Sequence, residues 1–185
     1  MGPPHFEILP ALIELLSDDD WVLRNSIPVA IGKLGTAARP ALPGLARLAR
    51  IELASDDGFC AAIEAIRSID PDSPEAQALI QPLAALLRDS PSEVQRQKAW
   101  IQLMGFGRSA SAAVGPLQDA LKSTKPEVRA RAAFVLGYVG PAATSAITDL
   151  ELLYRDDPDV NVQRTAHDAL RKIKAATLAN PTSEP

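Results

Sequence analysis

The chain has 185 residues, of which 46% are hydrophobic and only 4% are aromatic, a composition that suits closely packed helices with a core of Ala, Leu, Ile and Val. Its formal net charge of −4 argues against nucleic acid as the partner, because phosphate binding needs a basic surface. Its single cysteine, Cys60, excludes an internal disulfide, and no apolar run approaches the ~18 residues of a membrane span. The segment MGPPHFE lacks the features of a signal peptide. We therefore expect a soluble, cytoplasmic protein that does not bind a membrane.

Five pairs of amphipathic helices are predicted along the chain. The first helix of each pair carries a short apolar set, at Leu12/Leu15/Leu16, Leu45/Leu48/Ala49, Leu83/Leu86/Leu87, Leu117/Ala120/Leu121 and Leu150/Leu153/Tyr154. The second helix carries a longer stripe, at Leu23/Ile27/Ala30/Ile31/Leu34, Gly58/Ala62/Ala65/Ile66/Ile69, Ala99/Leu103/Phe106, Val128/Ala132/Val135/Leu136/Val139 and Val162/Ala166/Ala169/Leu170/Ile173. These spacings follow one face of an α-helix and do not fit the period of two that a strand requires.

The stripes recur at a nearly constant interval. They end at Leu34, Ile69, Phe106, Val139 and Ile173, so the step is 33 to 37 residues, which is typical of a repeat architecture. Four prolines precede the short sets and predict the starts of the first helices, because the first turn does not use the proline nitrogen: Pro10, Pro43, Pro82 and Pro116. Aspartates in the turns before the second helices predict N-caps.

Two segments carry a family resemblance. DDWVLRNSIPVAIGKLG and PEVRARAAFVLGYVG resemble HEAT repeats, in the short bacterial form known from phycobilin lyase subunits. The family pattern runs acidic turn, Val-Arg, small residue, Leu-Gly, and it covers about Leu9 to Lys174. The second repeat departs from it, with Phe59 in the arginine slot and Asp70 in place of the last glycine.

The predicted fold is all-α, a right-handed α-solenoid of about five HEAT-like helical hairpins. Since two helices cannot bury both apolar faces alone, neighbouring hairpins must stack, with the second helices lining a concave face. Residues 1–176 form one repeat domain in this interpretation, and 177–185 form a flexible tail. The predicted repeats are about 6–38, 39–73, 74–109, 110–142 and 143–176.

Three arginines occupy the recurring slot of the family: Arg24, Arg96 and Arg129. The resemblance implies that each reaches an aspartate in the turn between the paired helices and so forms a structural ladder between repeats. Asp19 or Asp20 would serve Arg24, and Asp89 would serve Arg96. The turn before Arg129 holds Lys125, so Arg129 would need a partner from another repeat.

No catalytic or metal-binding constellation is visible, and we expect neither an enzyme nor a cofactor. His5 and His167 are the only histidines, and they do not form a metal-binding pair. Cys60 has no histidine near it in sequence, which favours a small packing residue over a nucleophile. Basic residues gather only on the last helix, where they are most simply cations near a helix C-terminus: Arg164, Arg171, Lys172 and Lys174.

The side of the second helices opposite the stripes offers a functional hypothesis. An apolar patch that the core does not require is predicted there, and its members are Val29, Ile101, Met104, Phe134 and Tyr138. Apolar surface rimmed by charge is typical of a protein-binding site. We therefore expect a scaffold that binds a protein or peptide through the concave face, unless tight curvature buries the patch. The alternatives are a subunit of a lyase-like enzyme holding a chromophore or acceptor protein, and a structural segment of a longer array. The sequence predicts no oligomeric state.

Overall fold

The computed structural model describes residues 5–18, 20–55 and 60–179. This part of the chain forms ten α-helices and contains no strand, so the predicted all-α class is confirmed. The helices are α1 (His5–Leu15), α2 (Trp21–Gly32), α3 (Leu42–Ala54), α4 (Ala61–Ile69), α5 (Pro74–Asp89), α6 (Glu93–Phe106), α7 (Val114–Ala120), α8 (Pro126–Val139), α9 (Ile147–Asp156) and α10 (Val160–Ala179). Short 3₁₀ turns precede α3, α7 and α9, at Gly35–Ala41, Gly107–Ala113 and Gly140–Ala146.

The chain divides into two compact units, residues 1–79 and 80–185, and the boundary falls inside α5. In the first unit the second helix of one hairpin packs on the second helix of the next, α2 on α4. In the second unit α6 packs on α8 and α8 packs on α10. This stacking of second helices is that of an α-solenoid; its right-handed sense and the repeat boundaries stay predictions. Because α10 continues to Ala179, residues 177–179 of the expected flexible tail are helical, and 180–185 lie outside the described residues.

Two of the prolines do not mark helix starts. Pro10 lies inside α1 and Pro82 lies inside α5, whereas Pro43 is in the first turn of α3 as predicted. α5 begins eight residues before Pro82, at Pro74, because Ser73 accepts a hydrogen bond from the amide of Ala76 at 3.2 Å and so caps that earlier start.

The caps of the second helices are only partly those predicted. Asp20 caps α2, because its carboxylate accepts from the amides of Val22 and Leu23 at 2.7 and 3.2 Å. The cap of α6 is Ser92, three residues after Asp89, and the amides at the start of α10 donate to Asp159. The aspartates that do not cap are available for ion pairs. Residues 56 and 57, which were expected to cap α4, lie outside the described residues.

Contact between successive second helices depends on very small residues. The apolar stripe of α8 is fully buried, and Gly137 beside it faces α10 so closely that an added Cβ would lie 3.0 Å from the Cα of Ala169. Gly32 of α2 faces α4 in the same way, with a Cβ position 3.1 Å from the Cα of Ala65. In both contacts, α8 with α10 and α2 with α4, the backbone of the next second helix occupies the space that a methyl group would need.

Replacing Gly137 by alanine is expected to destabilise the protein. Alanine gains about 0.5–1 kcal/mol of helix propensity, but a methyl group forced against a helix backbone costs about 1–3 kcal/mol, so the net effect is a loss. The matched control is Gly115→Ala in α7, where an added Cβ has no atom within 4 Å and alanine is expected to stabilise. Urea denaturation of both variants measures this, and equal shifts would contradict the close contact.

Candidate binding surface

Two aromatic rings stand side by side on the exposed side of α8. Phe134 and Tyr138 are one turn apart, and their ring centroids are 4.9 Å apart with the planes tilted by 32°. Phe134 is half-buried, while Tyr138 keeps 42% of its surface exposed. The structure therefore brings this predicted pair together and leaves both rings accessible.

A third ring extends the pair onto α6. Trp100 meets Phe134 edge to face, with ring centroids 5.8 Å apart and planes at 71°, which is a favoured geometry for aromatic pairs. Trp100 is half-buried. Trp100, Phe134 and Tyr138 thus form a continuous line of rings across α6 and α8, which we call the ring row.

Two cations of the chain itself lie over the ring row. The guanidinium carbon of Arg131 is 5.5 Å from the Trp100 ring centroid. The ammonium of Lys172, on α10, is 3.9 Å from the centroid of Tyr138 and 5.0 Å from that of Phe134. Both distances are within the range of cation–π attraction, which is worth about 0.5–2 kcal/mol. The rings therefore tie α6, α8 and α10 together at the surface.

Arg131 also has an ionic partner. Its Nη2 donates to Oε1 of Glu93 on α6 at 2.5 Å. The pKa of Glu93 is held below its usual range, chiefly by the hydrogen bond from Arg131 and further by that from Arg96. Glu93 is therefore committed to two arginines of the protein itself.

A groove of about 530 Å³ opens beside the ring row. It is lined by Trp100, Glu127, Ala130, Arg131, Phe134, Asn161, Arg164, Thr165 and Asp168. Two of the lining residues carry a buried donor without a hydrogen-bond partner among the described residues: Trp100 through Nε1 and Arg131 through Nη1. Because both atoms are shielded from solvent, they describe the packing behind the groove and not its accessible surface.

Of the other three members of the predicted patch, two lie on α6, the neighbour of α8, and one lies on α2. Ile101 and Met104 are on α6, which packs on α8, and Ile101 is 38% exposed. Val29 is 46% exposed but belongs to the first unit, where it lines a groove of about 270 Å³ between α2 and α4. The structure thus places Phe134 and Tyr138 on one surface, and the membership of Val29 in that patch stays a prediction.

Sequence reasoning missed Trp100 and Arg131. Trp100 occupies the slot that Ala133 and His167 fill in the next two repeats, so an unusually large ring in that slot was the available signal. Arg131 precedes Phe134 by three residues, which places both on one helix face. His167 itself stacks on Tyr154 of α9, with ring centroids 4.8 Å apart.

The arginine slot has a constant backbone partner. In each described case the slot side chain donates to the carbonyl six residues before it, in the turn that follows the first helix. The four bonds are Arg24 Nε to Asp18 O at 3.2 Å, Arg96 Nη1 to Ser90 O at 2.7 Å, Arg129 Nη1 to Ser123 O at 2.8 Å, and Gln163 Nε2 to Asp157 O at 2.7 Å. In these four hairpins the slot therefore ties the second helix to the turn that precedes it.

The ionic partner of Arg96 differs from the one predicted. Asp89 pairs with Arg88 at 2.7 Å, and Arg96 instead contacts Glu93 at 2.6 Å and lies 3.9 Å from Glu127 of the next repeat. Asp89 is engaged by two hydrogen bonds from its neighbour Arg88, and Arg96 Nη1 donates to the carbonyl of Ser90. Asp20 caps α2 and residue 19 lies outside the described residues, so the ionic partner of Arg24 stays a prediction.

Arg129 takes its partner from the following repeat. Its Nε and Nη2 donate to the two carboxylate oxygens of Asp157 at 2.7 and 2.8 Å, and the Asp157 side chain is only 2% exposed. The hydrogen bond from Arg129 is the main cause that holds the pKa of Asp157 below its usual range, while burial opposes it. This two-bond pair connects α8 to the turn between α9 and α10.

Comparison with known proteins agrees with this hairpin geometry. Residues 114–181 match the family model of HEAT repeats. Over that segment the chain is similar to HEAT repeats. Two crystal structures of engineered proteins share its fold: one is 24% identical, with a TM-score of 0.53, over 91% of this chain and 80% of the other. The second is 25% identical, with a TM-score of 0.51, over 92% of this chain and half of the other. No curated protein matches the sequence.

None of the described helices is both long enough and apolar enough to cross a membrane. The described residues also contain no group of three or more His, Cys, Asp or Glu side chains that could hold a metal ion.

Asp157→Asn is expected to cost about 3 kcal/mol of stability near neutral pH, because it leaves the largely buried Arg129 without its ionic partner. The pKa of Asp157 is lower in the folded state than in the unfolded state, where it is about 3.9. The stabilisation from the Asp157 carboxylate is therefore fully present above the unfolded-state pKa. It is lost as the pH falls through the folded-state pKa. The gap between the wild type and the variant should therefore close at acid pH.

Urea denaturation from about pH 7 to about pH 3 measures this closing gap. The matched control is Asp156→Asn, because Asp156 belongs to the exposed pair with Arg155 and its loss should leave stability nearly unchanged. If the difference in unfolding free energy between the wild type and Asp157→Asn stays constant with pH, the stated titration of the Arg129–Asp157 pair is wrong.

Proposed function

We propose that this HEAT-like repeat protein is a scaffold that binds a protein or peptide segment through the ring row and the groove beside it. The observation that carries the proposal is the ring row itself, three contacting aromatic rings that are only partly buried. Aromatic side chains are frequent anchors of protein interfaces, because they bury a large area with few rotatable bonds. An exposed line of them in a chain with so few aromatic residues needs a role outside the core.

The core of the second unit does not need these rings. The stripe of α8, on its other side, supplies the packing residues, and Val128, Leu136 and Val139 are buried without help from the ring row. Tyr138 keeps 42% of its surface exposed, so a partner can gain both apolar and polar contacts with it. What the ring row adds to folding is the set of surface contacts among the rings and their two cations, and the buried stripe does not include it.

The groove fits a polypeptide better than an apolar cofactor. Its volume of about 530 Å³ accommodates a few side chains, and its lining includes the charged residues Glu127, Arg131, Arg164 and Asp168. Cofactor and drug-like pockets are lined mainly by apolar side chains with few polar groups. Apolar rings beside mixed charges are the arrangement of a protein interface, with a hydrophobic centre and a polar rim.

We place this activity in the cytoplasm, as the sequence suggests. Cys60 is the only cysteine, so the chain gains no stability from an internal disulfide and is suited to a reducing compartment. We assign the protein no catalytic role, and no contact in the described part of the chain favours the lyase-subunit or array-segment alternatives.

Tyr138→Ala is expected to weaken peptide binding by about 2 kcal/mol or more, roughly thirtyfold, with little change in folding stability. The probes are peptides selected from a random display library on the immobilised full-length chain, with dissociation constants measured by fluorescence anisotropy. The matched control is Tyr154→Ala, which removes an equally exposed tyrosine, at 49% against 42%, from α9. Failure to select any peptide that distinguishes the two variants, or equal losses from both, would refute the proposed surface.

A further inference from the structure

The ring faces are already occupied by cations of the chain. Arg131 lies over Trp100, and Lys172 lies over both Tyr138 and Phe134. A partner's lysine or arginine would have to displace them before it could use the same faces. A ligand that approaches the ring row therefore meets positive charge first.

The carboxylates near this surface are mostly used by other arginines. Glu93 bonds Arg96 as well as Arg131, and Glu127 lies 3.9 Å from the same Arg96. Two carboxylates line the groove, and of these only Asp168 has no arginine of α6 or α8 within ion-pair distance in the described part of the chain. Arg131 and Arg164 balance Glu127 and Asp168 in the groove lining, so the excess positive charge at this surface lies on α10, although the whole chain carries −4.

The lysine and arginine side chains of α10 supply the excess positive charge. Arg171 and Lys172 have no carboxylate within ion-pair distance in the described part of the chain, whereas Lys174 on the same helix binds Glu151 at 2.9 Å. Arg164 donates to the side-chain carbonyl of Asn161 at 2.8 Å, which leaves its charge uncompensated. Arg171 and Lys172 also line a second hollow of about 680 Å³ on α10, next to Ala175 and the exposed Leu178.

We propose that the segment recognised by the ring row is an acidic peptide, whose Asp or Glu carboxylates pair with Lys172, Arg171 and Arg164 while its apolar side chains contact Tyr138 and Phe134. This inference rests on the proposed function and adds the chemistry of the partner. A nucleic acid is less well matched, because its affinity comes from many phosphate contacts and the overall negative charge of the chain opposes a long polyanion.

The test uses the selected peptides whose binding is weakened by Tyr138→Ala. Their sequences are expected to be enriched in Asp and Glu, and replacing those residues by Asn and Gln should weaken binding to the full-length chain about tenfold or more. Raising the salt concentration should weaken binding as well, because the cations are exposed and therefore screened. Peptides that depend on Tyr138 but are neutral or basic would overturn the acidic partner and leave the scaffold function standing, whereas the absence of Tyr138-dependent peptides would overturn both.

Charge reversal locates the effect on α10. Lys172→Glu should weaken the acidic peptides about tenfold or more, while Lys122→Glu, which makes the same change of total charge at an exposed site after α7, should leave them within about twofold. Arg171→Glu replaces Lys172→Glu if a thermal melt shows that the latter unfolds. Equal effects at Lys122 and Lys172, or tighter binding of a mixed-sequence single-stranded oligonucleotide than of the selected peptides, would overturn the proposal.

Discussion

Four of the second helices of this protein are each held to the turn after the first helix by one long polar side chain. A backbone carbonyl in such a turn lies outside the hydrogen bonds of the helix, so a donor supplied from the second helix satisfies a group that would otherwise be left open. The slot residue always reaches the carbonyl six positions before it, whether it is an arginine or a glutamine: Arg24, Arg96, Arg129 and Gln163. This common bond fixes the start of the second helix, and hence where its stripe and its exposed face lie.

The exposed face depends on the fold at one further point, the contact of α8 with α10. The Cδ atom of Lys172 lies 3.4 Å from the position of a Cβ on Gly137. The missing side chain of Gly137 therefore gives room both to the backbone at Ala169 and to the lysine stem that reaches Tyr138. Close packing of the two helices and the cation over the rings are consequences of the same glycine, so the binding surface is coupled to repeat stacking.

The helix pairs, the buried stripe of α8 and the Phe134–Tyr138 pair could be predicted, because helical periodicity assigns each residue to a face of its own helix. The stripe of α2 was predicted less well, since its member Ala30 is exposed. The partner of Arg96 could not be predicted, since sequence reasoning searches for opposite charge and the bond in the turn goes to a backbone carbonyl. Val29 was grouped with the ring residues by its equivalent position in another repeat, but equivalence specifies a helix face and not a contact. Trp100 was missed because it lies outside the positions assigned to the exposed face, in the slot where the next two repeats hold Ala133 and His167.

The cations over the ring row also affect which partners can bind. A neutral apolar segment laid on Tyr138 would remove water from the Lys172 ammonium without supplying a countercharge, and an uncompensated buried charge is costly. A segment with a carboxylate beside its apolar residues avoids that penalty and gains the ion pair. Discrimination between the two therefore comes as much from the penalty on the wrong partner as from attraction to the right one. The exposed rings can remain on the surface because nonspecific apolar contact with them carries the cost of desolvating a lysine.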